Sequence, residues 1–275
     1  MIEFDSVSKT YPGGTQAVTD FCLTIPSRSV TALVGSSGSG KTTLLRCVNR
    51  MVEPTSGRIL IDGEDVADRD PVELRRSIGY VMQQSGLLPH RTVLDNVTTV
   101  LRLVGMGARD ARERGLDMLR TVGLPHELAG RYPHQLSGGQ AQRVGVARAL
   151  AAKPNIVLMD EPFGAVDPIV RAELQEETRR LQAELETTIV FVTHDVEEAF
   201  ALADQVVILR TGGLIAQCGT PAEILANPAD AFVQNFVGLG GPRRQLHLEI
   251  EDGRTVVRSA DGRLMGVLGD REFPS

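Results

Sequence analysis

The sequence predicts an α/β fold: a buried parallel sheet with helices packed on it, joined to a smaller antiparallel sheet. Three observations carry that reading. The apolar, β-branched run Val30-Thr-Ala-Leu-Val34 leads into Gly35-Ser36-Ser37-Gly38-Ser39-Gly40-Lys41-Thr42-Thr43, and a helical run to Val48 follows. Ile156–Met159 and Thr188–Thr193 are short, almost wholly apolar runs, as strands buried on both faces require. Between them, Val170, Leu174, Leu181 and Leu185 recur at helical spacing.

The strand–glycine–helix segment is a phosphate-binding loop. Its glycines let the backbone turn with positive φ and bring N–H groups close to an anion. The helix end adds unpaired donors and the positive end of its dipole. Lys41 is expected to reach the β- and γ-phosphates, and the Thr42 hydroxyl to hold Mg²⁺.

Composition sets bounds on the rest. The chain has 275 residues, 42% of them hydrophobic, so a large core is expected and disorder is not. It carries 29 basic and 35 acidic residues, with no basic block, which argues against a nucleic-acid partner. Cys22, Cys47 and Cys218 have no metal-ligand spacing and suit a reducing compartment. No apolar run approaches the ~18 residues of a membrane span. Met1-Ile-Glu-Phe-Asp does not read as a signal peptide. A cytosolic protein is expected, reaching a membrane only through a partner.

Residues 2–9 and 17–25 alternate apolar and polar positions and predict an antiparallel pair turning at Tyr11-Pro-Gly-Gly14. Tyr11, which alone could equally pack on its own sheet, is expected beside the nucleotide loop to stack on an adenine ring. Arg58–Asp62 is a further strand. Asp70-Pro71-Val72-Glu73 predicts a helix start with Asp70 as N-cap, and Ile78–Met82 is a buried strand running into Gln83-Gln84. Residues 85–135 change character and predict a helical insertion, with a helix over Arg109–Val122. It ends at Leu136-Ser137-Gly138-Gly139-Gln140, where Ser137 and Gln140 have capping-box spacing and the glycines open a second anion-binding helix mouth.

The strand Ile156–Met159 delivers Asp160 and Glu161. Two carboxylates at the end of a buried strand are costly unless they act, and in such sheets ligands bind beyond the strand carboxyl ends. Asp160 is expected to hold Mg²⁺ through water and Glu161 to polarise an attacking water. Asp167-Pro168 starts a helix to about Glu186 on which Glu176 pairs with Arg179 or Arg180. Thr188–Thr193 delivers His194 to the edge shared by Lys41 and Glu161, where it is expected to touch the γ-phosphate. Asp195 and Glu198 are expected to cap the next helix. Val206–Leu209 and Gly213–Ala216 form a hairpin-like pair, Pro221–Leu225 starts a short helix, and Ala231–Val237 closes the main domain.

The expected domains are residues 1–238, a linker at 239–244, and a β-rich tail at 245–275. The tail's strands are Gln245–Ile250, Thr255–Arg258 and Arg263–Leu268, turning at Asp252-Gly253 and Asp261-Gly262.

Gly35–Thr42, Gln83, Leu136–Gln140, Ile156–Glu161, Asp167 and His194 together resemble, in order, the motifs of an ATP-binding-cassette (ABC) transporter ATPase. The likeness covers about the first 238 residues, and Leu136–Gln140 matches the family signature without substitution. It implies a P-loop NTPase cassette with a RecA-like core, an antiparallel β subdomain and a helical subdomain. It also implies a dimer with two ATP sandwiched head to tail. Each ATP would lie between one subunit's phosphate loop and the other's Ser137–Gln140. Glu161 would be the catalytic base, His194 the γ-phosphate sensor and Asp167 part of the dimer-contact loop. Gln83 would join the Mg²⁺ and water network, with Gln84 as the neighbouring alternative.

Asn49–Gly57, Gln83–His90, Arg131–His134 and Asp160–Pro168 further resemble importer ATPases for osmoprotectants such as glycine betaine, carnitine, choline or proline. Polar amino-acid importers share parts of this pattern, and soluble ABC ATPases of DNA repair and translation are the alternative outside transport. The resemblance implies integral membrane permease subunits, an extracytoplasmic substrate-binding protein, and a place on the cytoplasmic face of the membrane. Thr255–Leu268 resembles one strand–turn–strand fragment of a CBS domain. A complete CBS pair does not fit in the residues that remain.

Overall fold

The N-terminal strands β1 (Ile2–Thr10) and β2 (Gln16–Ile25) pair antiparallel around the turn at Tyr11, with Ile2 opposite Ile25. Phe4 meets Phe21 edge-on across the pair, ring centres 5.2 Å apart. The computed structural model describes residues 1–164, 166–239, 246–251, 254–259 and 262–267. By internal contacts they form two units, Met1–Pro221 and Ala222–Ser275.

In the first unit, β3 (Val30–Gly35) is buried throughout and leads into α1 (Lys41–Val48). β4 (Ser56–Ile61) and β5 (Glu64–Asp65) complete an antiparallel sheet of order β2-β1-β4-β5. Then come α2 (Pro71–Ser77), β6 (Ile78–Val81), α3 (Val93–Leu103), α4 (Ala108–Thr121) and α5 (Gly138–Leu150). They are followed by β7 (Ile156–Asp160), α6 (Pro168–Leu185), β8 (Thr188–Thr193), α7 (Val196–Leu202), β9 (Gln205–Leu209) and β10 (Ile215–Gly219). The second sheet has the order β10-β9-β3-β8-β7-β6, parallel except for the edge strand β10.

That strand order is what assembles the site. β3, β7 and β8 lie side by side, so the residues just past their carboxyl ends converge on one edge. A shared core locks the two sheets around α1. Leu44, Leu45 and Val48 of the helix pack with Ile2, Phe21, Ile59, Leu158 and Val190. Residues 85–135, read from the sequence as a helical insertion, hold α3 and α4. No described helix is long and apolar enough to cross a membrane.

Two expectations need correction. Arg180 pairs with Glu177 and Glu184, and Arg179 with Asp204, rather than either with Glu176. Glu176 has the same helical spacing to both arginines, so spacing did not choose: Arg180 is taken by Glu177 and Glu184 on its own helix, and Arg179 by Asp204 from beyond it. Glu198 is no cap: Asp195 alone accepts the N–H groups of Glu197 and Glu198, while the Glu198 side chain is buried.

The second unit holds α8 (Pro221–Ala226), α9 (Ala231–Phe236) and a sheet of β11 (Leu246–Glu251), β12 (Arg254–Ser259) and β13 (Leu264–Val267), with β12 in the middle. Arg258 on β12 pairs with Glu249 and Glu251 of β11. The boundary expected near residue 238 falls inside this unit. The turn at Asp252-Gly253 and most of the expected linker lie outside the described residues.

Candidate functional site

The phosphate loop is shaped by close approaches that only glycine permits. Gly40 has φ +88°, and a Cβ there would stand 2.5 Å from the Ala17 carbonyl. Gly40 is also the N-cap of α1, and no side chain caps that helix. Its first N–H groups are therefore left for an anion. Lys41, 7% exposed, folds back over the loop. Its ammonium donates to the carbonyls of Gly35 (2.6 Å) and Ser36 (2.9 Å) and to Ser39 Oγ (3.3 Å). Burial lowers its pKa, and the charges of Glu161 and Asp160 oppose that shift.

Asp160, at the end of β7, is buried and fully engaged. Its Oδ1 accepts from the Thr42 hydroxyl at 3.0 Å, and its Oδ2 accepts from Arg46 at 3.2 Å and the Tyr80 hydroxyl at 3.4 Å. The Arg46 pKa is raised, first by its hydrogen bond with Tyr80 and also by Asp160, while burial pushes the Tyr80 hydroxyl up. Sequence reading missed both residues. Arg46 stands on α1 and Tyr80 on β6, and only the pairing of β6 with β7 opposite Leu158 brings Tyr80 to the carboxylate.

Glu161 follows in a left-handed backbone conformation, φ +44°. Such a residue costs on the order of 1–3 kcal/mol and persists where its surroundings hold it. Its N–H donates to the Val192 carbonyl of β8 at 3.0 Å. Its carboxylate accepts from Gln83 Nε2 at 2.7 Å and lies 3.3 Å from His194 Nδ1. Gln83, not Gln84, makes that bond. Tyr11 stands beside the first turn of α1, its hydroxyl 3.2 Å from Thr43 Oγ1 and its ring backed by the Lys9 ammonium 5.3 Å from the centroid.

The structure thus brings Tyr11, Gly35–Thr43, Gln83, Asp160, Glu161 and His194 together. Ser137–Gln140 belongs to a second cluster. The Ser137 hydroxyl accepts from the Gln140 N–H (3.2 Å) and the Gln140 side chain accepts from the Ser137 N–H (3.0 Å), a complete capping box. Gly139 faces Val166 and Val170, and Asp167 caps α6 by accepting from the Val170 N–H. Arg143 on α5 pairs with Glu173 on α6 at 2.7 Å. The Ser137–Gln140 tip therefore packs beside the Asp167 loop.

Mg²⁺ fits the first cluster. The Thr42 hydroxyl and the Asp160 carboxylate present hard oxygen donors at the loop's mouth, which suits a cation bound by one or two protein oxygens plus phosphate. Among the described residues no group of three or more His, Cys, Asp or Glu forms a self-sufficient metal cage.

Comparison with known proteins identifies the family. Residues 18–164 match the family described as ABC transporter. The chain is 52% identical over 238 residues to the choline transport ATP-binding protein OpuBA of Bacillus subtilis, covering 86% of this chain and 62% of that protein. It is 47% identical over 238 residues to the glycine betaine uptake system ATP-binding protein YehX of Escherichia coli, covering 86% and 77%. The chain thus spans about three fifths of the length of relatives such as OpuBA. The dimeric structure of MJ0796, a bacterial ABC transporter cassette, superposes with TM-score 0.74 at 35% identity, covering 80% of this chain and 99% of that one. With a signature tip, a phosphate loop and a carboxylate-tipped β7 all in place, the chain belongs to the ABC transporter family.

Proposed function

We propose that this chain is the ATP-hydrolysing subunit of an importer for osmoprotectants of the quaternary-amine class. The observation that carries the chemistry is Glu161, held between Gln83 and His194 at the edge of the phosphate loop. The relatives' names, choline and glycine betaine among them, support the cargo.

ATP binds along Gly35–Thr43, with Tyr11 against the adenine. The Lys41 ammonium exchanges the loop's own carbonyls for β- and γ-phosphate oxygens. Thr42 and Asp160 would hold Mg²⁺, with Gln83 nearby, and the cation supplies charge neutralisation on the phosphates. Two subunits close head to tail, each presenting Ser137–Gln140 and its Asp167 loop to the other's triphosphate. Glu161 orients a water for in-line attack on the γ-phosphorus, and His194 contacts the γ-phosphate. Fixed donors around the developing charge stabilise the transition state. Hydrolysis removes the phosphate that bridges the halves, and the dimer reopens.

The permease subunits would seat in the groove of about 440 Å³ that Val72, Tyr80, Met82 and Leu103 line with Arg75 and Arg148. It adjoins Gln83, so nucleotide state and permease contact share one segment. An extracytoplasmic binding protein would deliver cargo to the far side, placing this chain on the cytoplasmic face. Glu161→Gln keeps ATP binding and lowers turnover by at least about 10²-fold. Cells carrying this variant lose uptake of labelled glycine betaine. Normal hydrolysis in the variant would remove Glu161 from the mechanism, and unchanged uptake in cells lacking the chain would remove the cargo.

A further inference from the structure

The strongest polar cluster that the chemistry above leaves unused lies between the Asp167 loop and His194. Arg171, on the first turn of α6, has a side chain only 29% exposed. Its Nη2 donates to the Val166 carbonyl at 3.3 Å. Its Nη1 stands 3.6 Å from both Asp195 Oδ2 and Glu198 Oε1. Its Nε is buried without a hydrogen-bond partner. Glu198, 5% exposed, uses its other oxygen to accept the Thr193 hydroxyl at 2.6 Å. Thr193 and Asp195 flank His194 and are bound to each other, the Asp195 N–H donating to Thr193 Oγ1 at 3.0 Å.

A guanidinium presents five N–H donors in a rigid fork. Here one contact to a backbone carbonyl falls in the hydrogen-bond range, and the two carboxylates are held by charge at longer distance. Burying such a group with an orphaned Nε costs free energy. A static prop for α6 would be expected to satisfy its fork. A group held loosely among three acceptors, one in the Asp167 loop and two at the start of α7, can follow either segment when it moves.

We infer that Arg171 and Glu198 are positioning residues that transmit movement of the dimer-contact segment Val166–Asp167 to His194, so that docking of the second subunit sets the γ-phosphate sensor. The inference rests on the two-subunit site proposed above. The route is short and continuous: the Val166 carbonyl, the Arg171 fork, the Glu198 carboxylate, the Thr193 hydroxyl, and then the adjoining His194. Because Glu161 donates its N–H to Val192 and its carboxylate faces His194, a shift of this strand end also reaches the base.

The test uses the Glu161→Gln chain, in which ATP is bound and not consumed. Hydrogen exchange is followed with and without ATP over two segments, 163–168 and 191–196. The parent gains protection in both when ATP drives association. A charge-balanced double variant, Arg171→Met with Glu198→Gln, leaves no buried charge unpaired and is checked for native unfolding behaviour. It is expected to dimerise with ATP and to gain the protection of 163–168. It is expected to lose about tenfold of the protection of 191–196. Arg171→Lys, which keeps the charge without the fork, shows the same loss. Parent-like protection of both segments in the double variant overturns the inference and leaves the pair as mutual charge compensation. Loss of dimerisation in the double variant also overturns it, because the pair would then be a condition of association. If the parent itself fails to associate with ATP, the proposed function falls first.

Discussion

The buried carboxylate of Glu198 gives the residue scale its clearest consequence. Burial raises its pKa above the ordinary 4.5, and Arg171 opposes that shift without cancelling it. The folded chain therefore holds this proton more tightly than the unfolded one. Its contribution to stability is complete below the ordinary carboxylate range and is lost as pH rises through the raised value. Glu198→Gln removes this dependence. In denaturant titrations the stability difference is expected to move in favour of the variant as pH rises from 4.5 towards neutrality. A difference moving in favour of the parent would mean that Arg171 outweighs burial. Asp160 has a different logic: its three hydrogen bonds, from Thr42, Arg46 and Tyr80, keep a buried carboxylate satisfied within the chain itself.

At the scale of elements, helix beginnings divide into those capped by a side chain and two that start on an uncapped glycine, α1 on Gly40 at the phosphate loop and α4 on Gly107 away from it. α2, α3, α5, α6, α7 and α9 all start on a side chain that accepts backbone N–H groups, whereas α1 starts on Gly40 with none. Asp70 is a cap with no part in the site, and its Oδ1 takes both the Val72 and the Glu73 N–H at 2.9 Å. Asp70→Ala should cost about 1 kcal/mol of stability and leave ATP turnover unchanged, as thermal unfolding and a phosphate-release assay would show. Ser137 caps α5 in the same manner but differs in consequence, because in the proposed dimer its helix mouth would be the surface offered to the second subunit.

For the whole molecule, the proposed two-subunit site rests on the distribution of parts. The phosphate loop, Asp160, Glu161 and His194 form one cluster, while Ser137–Gln140 is bound to itself and packed beside the Asp167 loop. Lys41→Ala and Ser137→Ala subunits should each be inactive alone. Mixed, they should recover part of the turnover, because one of the two sites in the mixed dimer then has both Lys41 and Ser137. Phosphate release measured against mixing ratio reads this directly, and absence of any recovery would argue that each subunit encloses its own nucleotide.

The sequence alone determined the parts whose chemistry is local. Gly35–Thr43 needs its glycines, lysine and threonine in adjacent positions, and Ser137 with Gln140 closes a capping box over three residues, so both were readable as strings. Buried strands such as Ile156–Asp160 were legible because a sheet covered on both faces excludes polar residues. The tertiary structure decided what depends on strand order and burial. Tyr80 and Arg46 reach Asp160, and Arg171 reaches Glu198, across elements far apart in the chain. Glu198 followed a cap pattern in sequence, yet its side chain turned inward to Thr193 and Arg171. No spacing rule encodes such pairings, because they are set by which strands become neighbours and by how much water is left between them.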